Sequence, residues 1–212
     1  MVDVKKITEN LIQGNAPQVG KLVQEAIDEG KDTGMILQEG LLAGMSVIGE
    51  RFKKNECYIP EMLMAARAMK EGMELLRPLI VEKNIRNAGT VVLGTVTGDL
   101  HDIGKNLVGM MLEGAGFDII DVGIDVPAEK FIETAKEHNA SMIGLSCLLT
   151  TTMPALQDVI VSVNSSQLSG KVKVMIGGAP ITQGYADEIG ADGYASDAAY
   201  AVDAARELMH SL

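Results

Sequence analysis

TVVLGTVTGDLHDIGKN, residues 90 to 106, passes from an apolar run to a helical pattern within one short stretch. The run Thr90 to Val96 has the composition of a buried strand. Asp99-x-His101-x-x-Gly104 therefore lies on a strand-to-helix loop, where the backbone holds a histidine from both sides. Asp99 can orient the imidazole ring, and Gly104 removes a side chain at a point where a ligand must come close. The stretch predicts an α/β unit with His101 as a candidate metal ligand.

Apolar strands and helices alternate along the chain after residue 89. The predicted strands are Val91 to Val96, Ile119 to Val122, Ser141 to Ser146, Lys173 to Ile176 and Asp192 to Tyr194. The predicted helices are Ile103 to Ala115, Ala128 to His138, Thr152 to Val163, Ile181 to Glu188 and Ala198 to Met209. The first four strands are rich in apolar residues, which is typical of a buried parallel sheet. The pattern predicts a doubly wound α/β domain with a flavodoxin-like or Rossmann-like five-stranded parallel sheet.

From residue 3 to about 85 the chain has a helical period throughout, which predicts four helices. They run from Val4 to Gln13, from Pro17 to Gly30, from a cap at Asp32 or Thr33 to Asn55, and from Pro60 onward, with a kink expected at Pro78. Apolar stripes on the third and fourth helices favour a small four-helix bundle. The polar, glycine-containing segment 83 to 89 marks the boundary, so the predicted domains are residues 1 to 88 and 89 to 212.

Methionines lie on the apolar stripes of the helical domain, among them Met45 and Met69. One interpretation is that they fill the core, because methionine packs into irregular gaps. The other is that Met45 and the stretch around Met69 line an apolar ceiling over a ligand. The sequence leaves both interpretations open.

Two further loops at the carboxyl ends of predicted strands have unusual compositions. The segment that begins at Ser146 holds four hydroxyl residues within seven positions. One of them, Thr152, could simply cap the next helix, but the surplus could serve as donors to a ligand with buried polar atoms. Gly177 and Gly178 suit a tight turn, or a bulky group that lies against the backbone. If the strand order is 2-1-3-4-5, the three loops follow neighbouring strands and can border one elongated pocket.

Composition excludes several classes of function. The net charge of −11 comes from 29 acidic and 18 basic residues without a basic block, which argues against a nucleic-acid or membrane surface. The two cysteines, Cys57 and Cys147, have no metal-binding pair spacing. No apolar stretch approaches the roughly 20 residues of a membrane helix, and the N-terminus lacks a signal-peptide core. We therefore expect a cytoplasmic protein with a neutral or tightly held ligand.

The three loops together resemble the cobalamin-binding domain of methionine synthase and of corrinoid proteins, through Asp99-x-His101-x-x-Gly104, Ser146-x-Leu148 and Gly177-Gly178. The helical half resembles the helical cap domain of the same family, through Gly44-Met45, Gly49-Glu50-x-Phe52 and Tyr58-Ile59-Pro60-Glu61. The resemblance covers essentially the whole chain. It implies a helical cap domain over residues 1 to 88, followed by an α/β cobalamin-binding domain over residues 89 to 212.

The resemblance also implies the cofactor and its ligands. Cobalamin or a related corrinoid would be bound base-off/His-on, with its tail base detached from cobalt and inserted into the α/β domain. His101 would be the lower cobalt ligand, Asp99 would accept a hydrogen bond from its other ring nitrogen, and Thr152 would extend this relay where methionine synthase has a serine. Ser146 would donate to the tail base. The other residues implied at the cofactor are Gly98, Asp102, Ile103, Gly104, Leu148, Thr150, Gly177, Gly178, Met45 and Met69.

The methyl-transfer families place their substrate site on a separate barrel of about 250 residues, for which this chain has no room. The resemblance therefore implies a corrinoid protein that carries a methyl group on cobalt between a substrate:corrinoid methyltransferase and an acceptor methyltransferase. The implied systems act on methylamine, methanol, betaine or aryl methyl ethers. The resemblance leaves open whether the chain catalyses a reaction by itself. We expect it to be the methyl-carrying subunit of a multi-component methyltransferase system. The alternative is a cobalamin-binding sensor that acts through a partner.

The implied partners are the two methyltransferases and a reductive activation protein, and the acceptor enzyme would use tetrahydrofolate or a thiol. Neither nucleic acid nor a membrane is expected as a partner. Because the helical cap would shield the upper face of cobalt, we expect it to move aside as a lid, with a hinge at residues 83 to 89.

Overall fold

Contacts divide the chain into two compact units, Met1–Arg86 and Asn87–Leu212. The computed structural model describes residues 2 to 83, 85 and 87 to 211, apart from the side chain of residue 81. Within these residues the first unit is helical, and the second combines a parallel sheet with helices. None of the helices in this part of the chain is both long and apolar enough to span a bilayer.

The helical unit begins with short helices that have polar caps. In chain order it contains α1 (Val4–Ile12), α2 (Ala16–Asp28), α3 (Thr33–Met35), a π-helical segment (Ile36–Leu42), α4 (Ala43–Lys53) and α5 (Ile59–Glu82). Asp3, Asn15 and Asp32 each accept a hydrogen bond from a backbone N–H in the turn that follows, as N-caps do. Pro78 lies inside α5, which continues for another four residues to Glu82. The predicted helical domain is confirmed.

The third predicted helix departs from the expectation of one regular α-helix, because its middle is π-helical. Thr8 of α1 donates its hydroxyl to the carbonyl oxygens of Glu39 and Gly40, at 2.7 and 3.0 Å. A Cβ atom on Gly40 would lie only 3.2 Å from Val4 Cγ1, so α1 packs closely against this segment. The prediction was wrong here because an apolar stripe indicates a helix but not which backbone hydrogen bonds form it.

The second unit alternates strands and helices as predicted. In chain order it contains β1 (Thr90–Val96), α6 (Ile103–Gly114), β2 (Asp118–Val126), α7 (Ala128–Glu137), β3 (Met142–Ser146), α8 (Met153–Asn164), β4 (Lys173–Gly177), α9 (Gln183–Ile189), β5 (Gly193–Ala195) and α10 (Ala198–His210). The strands pair in parallel in the order β2-β1-β3-β4-β5. This order confirms the α/β class and makes β1, β3 and β4 direct neighbours.

The two faces of the sheet carry different side chains, because successive residues of a strand point to opposite sides. Leu145 of β3 belongs to a large buried apolar cluster on one face. On the other face, Cβ atoms on Gly144 of β3 and Gly109 of α6 would lie 2.9 and 3.2 Å from the Leu93 side chain. By this alternation Ser146 belongs to the face that packs against α6.

Strand β2 is longer than predicted and irregular where it passes β1. Its pairing register shifts between Leu93 and Gly94 and again between Gly94 and Val96. Such bulges bend a strand and re-aim its end. Near that end Asp125 has a φ of +54°, a left-handed conformation that is uncommon for a residue with a side chain. The bend brings β2 beside the loop that follows β1.

Candidate functional site

The loops after β1, β3 and β4 meet at the carboxyl edge of the sheet. Thr95 of β1 pairs in register with Ser146 of β3, which pairs in turn with Gly177 of β4. Each loop leaves its strand within two residues of this row, so the polypeptide itself brings the three segments together. In open α/β sheets, ligands bind at this edge where the strand order reverses, which here lies between β1 and β3.

Asp99 is the centre of this loop cluster and is fully buried. Its Oδ1 accepts hydrogen bonds from His101 Nδ1 at 2.8 Å and from the His101 backbone N–H at 3.1 Å. Its Oδ2 accepts from the backbone N–H groups of Leu148 and Leu149, at 2.7 and 3.2 Å, and from Thr152 Oγ1 at 3.1 Å. One carboxylate therefore holds the loop after β1 to the loop after β3.

These donors also determine the charge of Asp99. Burial opposes ionisation, but the hydrogen bonds from Leu148, His101 and Leu149 outweigh it and hold the pKa of the carboxyl well below its ordinary range. A carboxylate that accepts several N–H bonds is expected to behave in this way. Asp99 is therefore an anion throughout the physiological pH range.

His101 stands at the surface beside this anion, with 51% of its side chain exposed. Because Asp99 accepts a hydrogen bond at Nδ1, that nitrogen carries the proton in the neutral ring, and Nε2 keeps its lone pair. A carboxylate bound to the far nitrogen is the usual support of a metal-binding histidine. The arrangement suits coordination of a metal through Nε2.

The surface around His101 is unusually apolar. Four exposed aliphatic side chains come from its own loop and from the loop anchored on Asp99: Leu100 (67% exposed), Ile103 (77%), Leu148 (40%) and Leu149 (40%). A Cβ atom on Gly104 would meet open space within 4 Å, so the first turn of α6 presents bare backbone here. Exposed apolar patches of this kind mark ligand or protein contacts.

The described residues contain no group of three histidine, cysteine, aspartate or glutamate side chains that could hold a metal ion. His101 could therefore provide one axial ligand to a metal whose other ligands come with an organic cofactor. A flat apolar macrocycle fits such a site, since the histidine lies among aliphatic side chains and has one free nitrogen.

Thr152 has a different role from the simple helix cap that its position allows. It precedes α8, but its side chain makes no capping hydrogen bond to that helix. The hydroxyl oxygen lies 3.1 Å from Asp99 Oδ2 and 2.9 Å from Leu149 O. The capping interpretation is therefore wrong, and Thr152 instead extends the hydrogen-bond chain from His101 through Asp99.

Gly178 has a structural reason for being glycine. Its φ is +140°, and a Cβ atom there would lie 1.7 Å from the carbonyl oxygen of Cys147. Close approach of two protein segments thus accounts for this glycine without any ligand. At Gly177 a Cβ atom would lie 3.0 Å from Ala195 O, which is also tight.

The other predicted site residues fall into two groups. Gly98, Asp102, Ser146, Leu148 and Thr150 lie on the same loop cluster, with Ser146 half-buried and Thr150 exposed. Met45 and Met69 lie in the helical unit with 2% and 3% of their surface exposed, the burial expected of core residues. A contact of these two methionines with the cofactor stays a prediction.

Three residues that the sequence analysis did not single out hold the histidine loop in place. Thr95, fully buried, donates its hydroxyl to His101 O at 2.8 Å. Asp125 accepts from the Gly98 N–H at 2.7 Å and donates its own N–H to Asp99 O at 3.1 Å. A threonine inside an apolar run was the only signal of the first contact, and no local signal indicated the second.

Lys105, the third of these residues, is 3% exposed and lies directly after Gly104 in the first turn of α6. It forms an ion pair with Asp121 of β2 and donates to Asn106 Oδ1 at 2.8 Å. A buried lysine needs such a partner, because burial disfavours its charge. The pair fixes the helix start next to the histidine loop.

Comparison with known proteins agrees with this geometry. Residues 89 to 203 match a family model described as a B12 binding domain, and residues 4 to 77 match a second model with the same description. The dimethylamine corrinoid protein 1 of Methanosarcina acetivorans is 48% identical over 191 residues, which cover 88% of this chain and 90% of that protein. The dimethylamine corrinoid protein of Methanosarcina barkeri is 44% identical, with 97% of each chain covered.

Among solved structures, the methanol:cobalamin methyltransferase complex MtaBC from Methanosarcina barkeri contains a similar chain. The two share 29% sequence identity with a TM-score of 0.86, over 99% of this chain and 80% of that one. The resemblance stated from the sequence is thereby confirmed for both halves. By its two B12-binding regions and its curated relatives, this chain belongs to the family of cobalamin-binding corrinoid proteins.

Proposed function

We propose that this chain binds a corrinoid through His101 and carries a methyl group on its cobalt between two methyltransferases. One observation carries the proposal: a half-exposed histidine, hydrogen-bonded at Nδ1 to a buried carboxylate, lies among four exposed aliphatic side chains at the carboxyl edge of the sheet. When bound, the corrinoid would supply a cobalt centre that accepts and releases methyl groups. The protein holds and shields that centre, as proteins do for reactive cofactors.

The residues of the α/β unit have separate tasks in this proposal. His101 would bind cobalt through Nε2, and Asp99 would keep the ring in the orientation and tautomer that leave Nε2 free. Because Asp99 is itself held by Leu148, Leu149 and Thr152, the position of the ligand depends on two loops. The aliphatic side chains would contact the lower face of the macrocycle and exclude water from it.

The finer part of the proposal is the base-off/His-on mode, in which the nucleotide tail enters the α/β unit. Ser146 supports it, since this half-buried hydroxyl residue pairs with Gly177 and lies on the sheet face that also carries Gly144. The residues along this face are small, and the flat base would insert beside them between the sheet and α6, where Ser146 would donate to it. Thr150 and Leu148 would line the entrance.

Cobinamide lacks the nucleotide tail and so separates tail binding from binding of the macrocycle. We expect Ser146→Leu, which places a large side chain beside Gly177, to weaken cobalamin binding about tenfold or more and to leave cobinamide binding within about twofold. Ser169→Leu, on an exposed turn, serves as the control. Equal losses for both corrinoids in Ser146→Leu would contradict insertion of the tail.

The proposed partners are a substrate-specific methyltransferase, an acceptor methyltransferase that uses tetrahydrofolate or a thiol, and a reductive activation protein. The names of the relatives support the first of these, since one occurs in a methanol:cobalamin methyltransferase complex and others are called dimethylamine corrinoid proteins. Methylamines are therefore the first donors to test. The substrate itself would bind to the partner enzyme.

Transfer of an isotope-labelled methyl group tests the carrier function directly. The reduced, corrinoid-loaded protein is incubated with a dimethylamine methyltransferase and labelled dimethylamine, separated from that enzyme, and then given to an acceptor methyltransferase. Label that reaches the acceptor only through this chain is the expected result. Corrinoid binding without any uptake of label, from methylamines, methanol, betaine or aryl methyl ethers, would count against a carrier and in favour of a sensor.

We also propose that the helical unit shields the upper face of cobalt and moves aside for each partner. The expected hinge at residues 83 to 89 includes Asn84 and Arg86, which lie outside the described residues. Amide hydrogen exchange in the helical unit should increase when a partner methyltransferase binds the loaded protein. Identical exchange with and without the partner would contradict the movement.

A further inference from the structure

A buried thiol completes the hydrogen-bond chain that starts at His101. Cys147 is fully buried, and its Sγ lies 3.2 Å from Thr152 Oγ1 and 3.3 Å from Leu149 O. We infer that Cys147 is a positioning residue whose thiol directs the Thr152 hydroxyl toward Asp99, the carboxylate that holds His101. The inference deepens the proposed function and rests on it.

The Thr152 hydroxyl needs such direction because it has one hydrogen and two oxygen acceptors in reach, besides the weakly accepting sulfur of Cys147. Asp99 Oδ2 lies 3.1 Å from Thr152 Oγ1, and Leu149 O lies closer, at 2.9 Å. The carboxylate is the stronger acceptor because of its charge, whereas the carbonyl has the shorter distance. Because neither acceptor is clearly favoured, a third group that contacts Thr152 Oγ1 or Leu149 O can determine which acceptor receives the hydrogen.

Cys147 is this third group. Its contact with Thr152 Oγ1 allows either atom to donate, and we assign the donor role to the thiol. Burial raises the pKa of its thiol, so sulfur keeps its proton at neutral pH. A thiol that donates to Thr152 Oγ1 polarises the hydroxyl and strengthens its bond to Asp99, as in other hydrogen-bond chains. A thiol that donates to Leu149 O takes one of the two acceptor sites of that carbonyl and makes it a weaker acceptor for the hydroxyl. Both arrangements favour the hydrogen bond from Thr152 to Asp99.

The backbone around Cys147 keeps the thiol in this position. Its N–H donates to Gly177 O at 3.1 Å. Its carbonyl oxygen contacts Gly178 so closely that a Cβ atom there would lie 1.7 Å away. The segment is thus fixed by β4 and the turn after it, and the thiol has the same two polar neighbours as long as that packing persists.

The test uses the ratio of histidine-bound to histidine-free cofactor at one fixed pH, measured from the absorption and electron paramagnetic resonance spectra of the loaded protein. Cys147→Ala should lower this ratio about threefold, the effect of one weak hydrogen bond. Cys147→Ser, which keeps a donor, should instead raise the ratio above that of the wild type. In a Thr152→Val background Cys147→Ala should change nothing, because the group it acts on is gone.

A purely structural role would give a different pattern. An equal effect of Cys147→Ala in the Thr152 and Thr152→Val backgrounds, or no effect in either, would overturn the inference. If Cys147→Ala fails to fold, Cys147→Ser decides. Because a hydroxyl is a stronger donor than a thiol, Cys147→Ser should raise the ratio beside Thr152 and have no effect beside Thr152→Val, and an unchanged ratio beside Thr152 would overturn the inference. His101→Ala is included as a separate arm, since an unchanged spectrum there would refute the proposed function and not the role of Cys147.

Discussion

Replacing Asp99 by asparagine should destabilise the α/β unit even without a cofactor, because all five donors around this buried side chain are matched to a carboxylate. Asparagine has one acceptor oxygen and one donor group. If its amide nitrogen faces the backbone N–H of His101, that N–H loses its partner, although the imidazole can change tautomer and accept. If it faces Leu148 and Leu149 instead, two backbone N–H groups lose theirs.

The first orientation of the amide is the less costly one, and it sets the lower limit of the loss in unfolding free energy. Hydrogen bonds to charged groups contribute about 1.5 to 3 kcal/mol each, so one lost bond and the loss of charge from the others should cost about 2 to 4 kcal/mol. With a urea dependence of about 2 kcal/mol per molar, the unfolding midpoint should fall by roughly 1 to 2 M.

Urea unfolding of the cofactor-free protein, followed by tyrosine fluorescence, measures this loss. Three of the four tyrosines, Tyr185, Tyr194 and Tyr200, lie in the α/β unit, so the signal reports mainly on that unit. Asp102→Asn is the matched control, because it makes the same charge change in an exposed side chain of the same loop. Equal midpoints for the two variants would refute the role assigned to Asp99.

Three further outcomes are expected. Because folding lowers the pKa of Asp99, its contribution to stability is complete above the ordinary aspartate pKa of about 3.9 and is lost as the pH falls below that value. In urea titrations at descending pH, the free energy of unfolding should therefore decrease less in Asp99→Asn than in the wild type. Gly178→Ala should lower the free energy of unfolding by about 3 kcal/mol or more, or prevent folding, because of the clash with Cys147 O; Gly184→Ala, which meets open space, should be tolerated in the same urea unfolding experiment. Thr8→Val should lower the stability of the helical unit by about 1 kcal/mol in hydrogen exchange, with Thr8→Ser close to the wild type; equal stability of both variants would contradict the support of the π-helical segment by Thr8.

The fold was predictable because buried parallel strands carry continuous apolar runs and helices carry caps. The run at Thr90 to Val96 and the cap expected at Asp32 or Thr33 are local features, and the structure has the strand and a cap at Asp32. The π-helical segment was not predictable in this way. It depends on Thr8 and on the fit of α1 against Gly40, contacts between residues that are 31 to 36 positions apart.

The site was predictable where residues that are close in sequence contact each other. Asp99 and His101 are two residues apart, and their hydrogen bond is present in the structure. Asp125 was missed because its partners, Gly98 and Asp99, come from another loop. Cys147 was missed because nothing in the sequence indicates that its thiol points at Leu149 and Thr152 of its own loop. Thr152 was expected either as a cap or as part of a relay, and only the position of its hydroxyl beside Asp99 separates the two.

Cobalt ligation by His101 is the central claim, and electron paramagnetic resonance of the cobalt(II) form tests it most directly. The protein is produced with histidine labelled with the heavy nitrogen isotope and loaded with unlabelled cobalamin. Ligation by His101 predicts that the splitting caused by the lower nitrogen changes from a triplet to a doublet, and that His101→Ala abolishes the doublet. His138→Ala, at an exposed helix end, should retain the doublet. An unchanged triplet in the labelled wild type would mean that the cofactor's own base binds cobalt, and would contradict ligation by His101.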